Sequence, residues 1–147
     1  MRLHRLQRKG VTIIEGAFCL VVVFFMLVGM LEFGVASLRR NLLRDGASRV
    51  ARAAIIRGEK SELSEWGSNH VELTAAADDS IAVAILPSLA TMAPDDVRIT
   101  IDWLDGDNLT DQRVNVIVEY DHDFLFGQIW MIDQLNLKAE TQMRIER

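Results

Sequence analysis

Hydrophobic positions fall into three regimes along the chain. From Val11 to Leu31 they are almost continuous (VTIIEGAFCLVVVFFMLVGML). At 1.5 Å rise per residue, about 20 such residues cross a hydrocarbon core of roughly 30 Å. From Ala36 onward the apolar residues recur with helical period, placing Ala36, Leu43, Ala47, Val50, Ala51 and Ala54 on one stripe. The two regimes predict one unbroken helix from Thr12 to Ile56, about 70 Å long. Arg57-Gly58 supplies its end, since glycine accepts the left-handed turn after a helix and late arginines suit the helix dipole.

The last third alternates with period two. Val97, Ile99, Ile101 and Trp103 form one set, Val114, Val116, Val118 and Tyr120 a second, and Leu135, Leu137, Ala139, Thr141, Met143 and Ile145 a third. About three strands follow, with Asp105-Gly106-Asp107-Asn108 turning the first into the second. Ahead of them Ser61 to Trp66 reads as a helical turn. Thr74 to Leu86 reads as a short helix stopped or bent by Pro87, with Ala75, Ile81, Val83, Ala84 and Ile85 for burial. The expected fold is α+β, an antiparallel sheet laying its apolar face against the outer half of the long helix. The expected boundaries are 1–10 (leader), 11–34 (membrane helix), 35–57 (amphipathic neck helix) and 58–147 (α+β domain).

Charge divides along the same lines. The leader carries Arg2, Arg5, Arg8 and Lys9 and no acid, the neck has six arginines against Asp45, and residues 58–147 hold 18 acids against 6 bases. The net charge of −5 therefore conceals basic leader and neck regions and a strongly acidic domain. Neck and domain are expected to attract each other, or their counterparts in a neighbouring subunit, within a screening length of about 10 Å. The neck arginines adjoin the apolar run, so no nucleic-acid footprint emerges. They suit a partner or the anionic heads of a bilayer equally well.

Chemistry-bearing residues are few. Cys19 is the sole cysteine, which excludes an intrachain disulfide and a cysteine-based zinc site. Asp105, Asp107 and Asp111 have the oxygens calcium prefers, yet their order does not fit a twelve-residue calcium loop and turn chemistry explains them. Asp121-His122-Asp123 alternates faces in an extended chain and reads as a solvated loop, and His70 stands by itself in a loop-like stretch. No nucleophile-base pattern and no phosphate loop occurs, so neither an enzyme nor a cofactor is expected.

Glu15 is the informative acid. At a bilayer centre an acid costs about 2.5–3.5 kcal/mol and commonly marks function, although near the edge it can snorkel to the interface and gain from the helix N-terminus. A cleaved secretory signal is the competing interpretation, with Gly34-Val35-Ala36 as a loose cleavage site. The apolar run exceeds the usual length of about 7–15 residues, however, and Glu32 would stand beside the cut.

The combination Arg8-Lys9-Gly10 followed by Val11-Thr12-Ile13-Ile14-Glu15 resembles the processing motif of type IV prepilins and pseudopilins. Glu32-Phe33-Gly34 and the run Arg44-Asp45-Gly46-Ala47-Ser48-Arg49-Val50-Ala51-Arg52-Ala53-Ala54 narrow the resemblance to the TadE- and TadF-like pseudopilins of the tight-adherence, or Flp-type, pilus system. The proline often present in that family's span is absent here.

The resemblance implies cleavage between Gly10 and Val11 by a prepilin peptidase, leaving Glu15 as fifth residue to neutralise an adjacent subunit's new amino terminus. It implies a cytoplasmic leader, an inner-membrane helix and a periplasmic domain. The implied partners are other pilin or pseudopilin subunits, the prepilin peptidase, the inner-membrane secretion platform and the lipid bilayer, with Arg44, Arg49 and Arg52 as neck contacts. An uncleaved, signal-anchored periplasmic binding module is the alternative.

Overall fold

The computed structural model describes residues 7–57, 66, 70–106, 109–127 and 134–145, with side chains from Thr12 onward. The chain divides into two units, Met1–Val35 and Ala36–Arg147.

Helix α1 runs from Gln7 to Ile55 and contributes to both units. It begins five residues before the expected Thr12, so Arg8, Lys9, Gly10 and Val11 all lie on helical backbone. At its far end the Arg57 amide donates to the Ala54 carbonyl at 3.0 Å, closing the last turn. The expected glycine cap at Gly58 and the turn from Ser61 lie outside the described residues. In the first unit the helix beyond Thr12 is apolar apart from Glu15 and Glu32 and mostly exposed, with Phe18 and Leu20 at 70% and Phe33 at 74%. By length and composition it can cross a membrane. A helix meets the demand of a hydrocarbon environment because its backbone groups between the ends bond within the segment.

The second unit is a four-stranded antiparallel sheet in the order β1-β2-β3-β4, comprising Val71–Thr74, Val97–Trp103, Arg113–Asp123 and Gln134–Arg144. Its α+β character is as the hydrophobic rhythm predicts, and the three expected strands are β2, β3 and β4. In register, Ile101 faces Val116, which faces Thr141, and Ile99 faces Val118, which faces Ala139. The first two alternating sets point inward: Val97, Ile99, Ile101, Trp103, Val114, Val116, Val118 and Tyr120 are all buried. They form one cluster with Leu43, Ala47, Val50, Ala51 and Ala54 of the neck stripe. The third set is less uniform, because Leu137 and Ala139 are buried while Leu135 is 41% exposed.

The sequence reading misses strand β1 and overextends the short helix. Val71 and Leu73 pair with Ile101 and Ile99, and two apolar residues are too few to show a period. Thr74 therefore belongs to the sheet, and the Ala75 amide extends the ladder to the Val97 carbonyl at 2.9 Å. Helix α2 covers only Ser80–Ile85 because Asp79 caps it, its carboxylate accepting from the Ile81 amide at 2.8 Å. That phase buries Ala82 and leaves Val83 60% exposed, contrary to expectation. Pro87 sits inside the 3₁₀ turn Leu86–Ser88 that follows, where a missing amide costs nothing.

The close meeting of α2 with the neck explains one small residue. A Cβ on Gly46 would lie 2.7 Å from Cγ1 and 3.0 Å from Cδ1 of Ile85, which is itself fully buried. Ser88 adds a hydrogen bond from its hydroxyl to the Asp45 carboxylate at 3.0 Å. Gly46→Ala gains about 1 kcal/mol in helix propensity but overpacks the contact by about 1–3 kcal/mol. A net loss of stability is expected in thermal unfolding of the full chain in detergent. In an Ile85→Ala background, which removes the opposing atoms, the same change is expected to become neutral or favourable.

His70 is not solitary: its Nδ1 donates to Asp102, joining the start of β1 to β2. The Asp102 carboxylate raises its pKa above the ordinary histidine value. A raised pKa gives a contribution that is full below about pH 6.5 and lost as pH rises through the raised value. The stability difference between the wild type and His70→Asn is therefore expected to shrink from about pH 6 to about pH 9 in paired melting curves.

Candidate functional site

The first turns of α1 hold the residues singled out for processing. Gly10 lies on helical backbone within the first turn, where amides have no acceptor four residues earlier and unwinding sacrifices few hydrogen bonds. Glycine also lowers the cost of leaving the helix by about 1 kcal/mol relative to alanine. The segment is thus held as helix at a small cost to unwinding. The side chains of Arg8, Lys9 and Val11 lie outside those described.

Glu15 is exposed on the helix surface, beside Ile13 and Ile14 at 72% and 73% exposure and one turn from Phe18 at 70%. A carboxylate set among bare apolar side chains is solvated in water and costly in lipid. The second acid of the apolar run, Glu32, is buried.

The neck arginines divide by role. Arg44, Arg49 and Arg52 line exposed or half-exposed faces of the helix. Arg49 binds Asp45 one turn earlier, Nε to Oδ2 at 2.7 Å, and together with Ser88 this holds the Asp45 pKa below the usual carboxylate value. The Arg44 carbonyl accepts from the Ser48 hydroxyl at 2.9 Å.

A different arginine, missed in the sequence, reaches the sheet. Arg39 donates from a terminal nitrogen to Nδ1 of His122 at 2.6 Å and lies 5.3 Å from the Tyr120 ring centre. Since guanidinium only donates, that imidazole nitrogen accepts and the ring proton resides on Nε2. His122 is 2% exposed. The solvated loop expected at Asp121-His122-Asp123 is instead the end of strand β3, paired through Asn136, Leu135 and Gln134 of β4. The strand's alternation does place the acids opposite the histidine: Asp121 accepts from Asn136 at 2.7 Å and Asp123 from Gln134 at 2.9 Å on the outer face. The one signal in the sequence is the acid-His-acid alternation that continues β3 beyond Tyr120.

Further acids of the domain are bound to arginines. Asp105 accepts from the Arg113 amide at 2.9 Å and its guanidinium at 2.7 Å, which lowers its pKa to about 2. Asp111, with positive φ of 74°, accepts from Arg144 at 2.9 Å. These oxygens pin the ends of the β2–β3 turn, and Asp107 lies outside the described residues. Among the described residues no three His, Cys, Asp or Glu side chains form a metal-binding group. An acidic cleft of about 340 Å³ at Asp95, Asp96, Asp121 and Asp123 includes Arg98 and Thr74, all on exposed or half-exposed positions.

Helix, acid and small-residue neck thus occupy one continuous segment. Residues 10–52 match the family model described as TadE-like protein. The TadE-like segment begins at Gly10, contains Glu15, Glu32 and the neck through Arg52, and stops three residues before α1 ends. Arg8, Lys9 and the whole sheet lie beyond it. No curated protein and no solved structure matches the chain. The likeness is to TadE-like proteins and is confined to the span and neck, under a third of the chain.

Two arginines of the TadE-like neck are expected to behave differently when removed. Arg49→Ala breaks an exposed ion pair that water and salt screen, and little change in stability is expected. Arg39→Ala leaves a buried imidazole nitrogen without its donor, a loss of about 1–3 kcal/mol. Thermal unfolding of each full-length variant in the same detergent measures the contrast.

Proposed function

We propose that this chain is a minor pilin or pseudopilin of a tight-adherence pilus, cut after Gly10 and assembled through its apolar helix. The observation that carries the proposal is the TadE-like match over residues 10–52, which coincides with a helix able to cross a membrane and begins at the glycine itself. In this reading the basic leader stays in the cytoplasm, α1 crosses the inner membrane, and the acidic sheet domain stands in the periplasm. The prepilin peptidase frees the amino group of Val11. Other pilin-like subunits and the inner-membrane secretion platform are the partners, and the chain catalyses no reaction of its own.

Glu15 provides the mechanism. A carboxylate and an ammonium that both leave water are costly singly, and far less so when each neutralises the other. The new amino terminus of one subunit and Glu15 of its neighbour are such a pair. The glycines of the helix favour the same reading. A Cβ on Gly16, Gly29 or Gly34 would meet nothing within 4 Å, so the chain's own described packing does not require glycine there. Each costs about 1 kcal/mol relative to alanine in a helix, and small residues are what allow helices to approach within a bilayer.

Intact-mass and N-terminal analysis of protein from native membranes is expected to show Val11 first. Gly10→Leu is expected to abolish processing. Glu15→Ala is expected to be processed normally and then to be lost from sheared pili. A mature protein that keeps Met1, together with function retained after exchange of the span for an unrelated membrane helix, would instead establish the uncleaved binding module.

A further inference from the structure

The two edges of the sheet differ. Strand β1 closes one edge with only four residues, whereas β4 leaves eleven along the other. The pairing of β4 with β3 is uninterrupted from Arg113 opposite Arg144 to Asp123 opposite Gln134, so no bulge twists this edge away. The strand contains no proline, and the side chains it turns toward the neck helix, Leu135, Leu137, Ala139, Thr141 and Met143, carry no charge. Beyond it the Ile145 amide donates to the Gln112 carbonyl at 2.8 Å, and the alternation of an antiparallel ladder then turns the amides of Leu137, Ala139 and Thr141 toward β3. Those of Asn136, Lys138, Glu140 and Gln142 face the other way, and among the described residues no backbone group meets them. A long, regular edge of this kind is a template for one more strand.

Charge selects the strand that fits. On the outer face of the sheet Arg98 lies 3.7 Å from both Glu72 and Glu119, and Lys138 lies 3.7 Å from Glu119. From β1 to β4 the row therefore runs acid, base, acid, base, and it ends on Lys138 at the free edge. Glu140 follows on the same face of β4, held at 2.9 Å by the Asn115 amide. Ala139, between the two charges, is the middle residue of the strand. A second β4 laid antiparallel about a two-fold axis at Ala139 overlaps the first along its whole length. That register sets Lys138 opposite Glu140 of the second copy and Glu140 opposite its Lys138. On the helix side it sets Leu135 opposite Met143 and Leu137 opposite Thr141. Moving the axis by one residue sets Lys138 against Lys138 or Glu140 against Glu140, and like charges directly opposite are destabilising. The register of full overlap is thus also the one that pairs both charges.

We propose that two copies of the chain associate through β4, joining their four-stranded sheets into one continuous antiparallel sheet. The backbone groups of Lys138 and Glu140 bond across the axis, and the two Ala139 residues meet in the closer, non-hydrogen-bonded position. Leu135, 41% exposed in the single chain, is covered by Met143 of the second copy. A two-fold contact uses the same surface on both partners and closes at two copies. It does not propagate a fibre, so it goes beyond the helix seam proposed for assembly and is independent of it.

Full-length protein in a Cys19→Ser background, oxidised in detergent with copper phenanthroline, tests the pairing. Ala139→Cys is expected to give a disulfide-linked dimer, because residues in the closer cross-strand position lie about 4.5 Å apart at Cα, within disulfide reach. Glu72→Cys, exposed on the opposite edge, is expected to give none. Leu135→Cys combined with Met143→Cys reads the same register from more open positions and covers the case of a core disturbed by Ala139→Cys. Lys138→Glu sets acid against acid twice in each dimer and is expected to lower the cross-linked fraction several-fold, and adding Glu140→Lys is expected to restore it. Circular dichroism melting of each variant checks that the domain stays folded. Folded protein that cross-links neither at 139 nor between 135 and 143 would overturn the proposal, any dimer then being held elsewhere. Cross-linking that Lys138→Glu leaves unchanged, that Glu140→Lys fails to restore, or that is as strong at 72 overturns it equally.

Discussion

The second unit depends on one burial event, the neck stripe of α1 laid on the apolar face of the sheet. Four antiparallel strands offer one face of Val, Ile and Trp that water cannot cover, and no other described element is long enough to do so. The stripe is built for that duty, with alanines at 36, 47, 51 and 54 letting the helix approach and Leu43 and Val50 filling the space between. Gly46 extends the same logic to the adjacent surface, where α2 comes too close for any side chain. The small residues of the neck are therefore a packing requirement of the domain, whatever else they do in an assembly.

Electrostatics plays a secondary part, and its local arrangement differs from what the bulk charges imply. A basic neck beside an acidic domain suggests broad attraction. The described contacts are instead particular: Arg39 to His122 and Tyr120, Arg49 to Asp45, and Arg57 over the Trp66 ring at 4.8 Å. On the outer face of the sheet Arg98 lies between Glu72 and Glu119, and Lys138 adds to Glu119. Exposed pairs in general stabilise a fold by less than about 1 kcal/mol each. Their larger consequence is a polar outer face matched to solvent, while the inner face meets the helix.

Elements whose period is repeated several times are legible in the sequence. The strands β2 and β3 and the helix stripe each show four or more apolar residues at fixed spacing, and each is buried as that spacing predicts. Strand β1 has only Val71 and Leu73 to declare itself and acquires its identity from pairing with β2, which is tertiary information. The short helix escapes a reading by hydrophobic period because Asp79, rather than the apolar residues, decides where it starts. The Arg39–His122 contact joins residues 83 apart in sequence, so no local rule reveals it. At the processing segment the reverse holds: Gly10 and Glu15 are conspicuous in the sequence, and the isolated chain adds to them only a helical backbone and an exposed acid.

A single helix serving two environments also limits what can drive assembly. In water the bare surface from Thr12 to Leu31 would aggregate without discrimination, because burying any apolar area suffices. In a bilayer that drive vanishes, since lipid tails satisfy Phe18, Leu20 or Phe24 as well as another helix would. In the proposed assembly, selectivity would then come from groups that lipid serves badly, chiefly the carboxylate of Glu15, with Gly16 and Gly29 leaving open space in which a second helix can approach closely. The same argument separates the two halves of α1. The neck stripe is committed inside its own domain and cannot also be the seam between subunits, whereas the span keeps its apolar surface available. In the proposed assembly a neighbouring subunit would therefore meet the chain through the span, or through the neck faces that carry Arg44 and Arg52, and not through the stripe that holds the sheet.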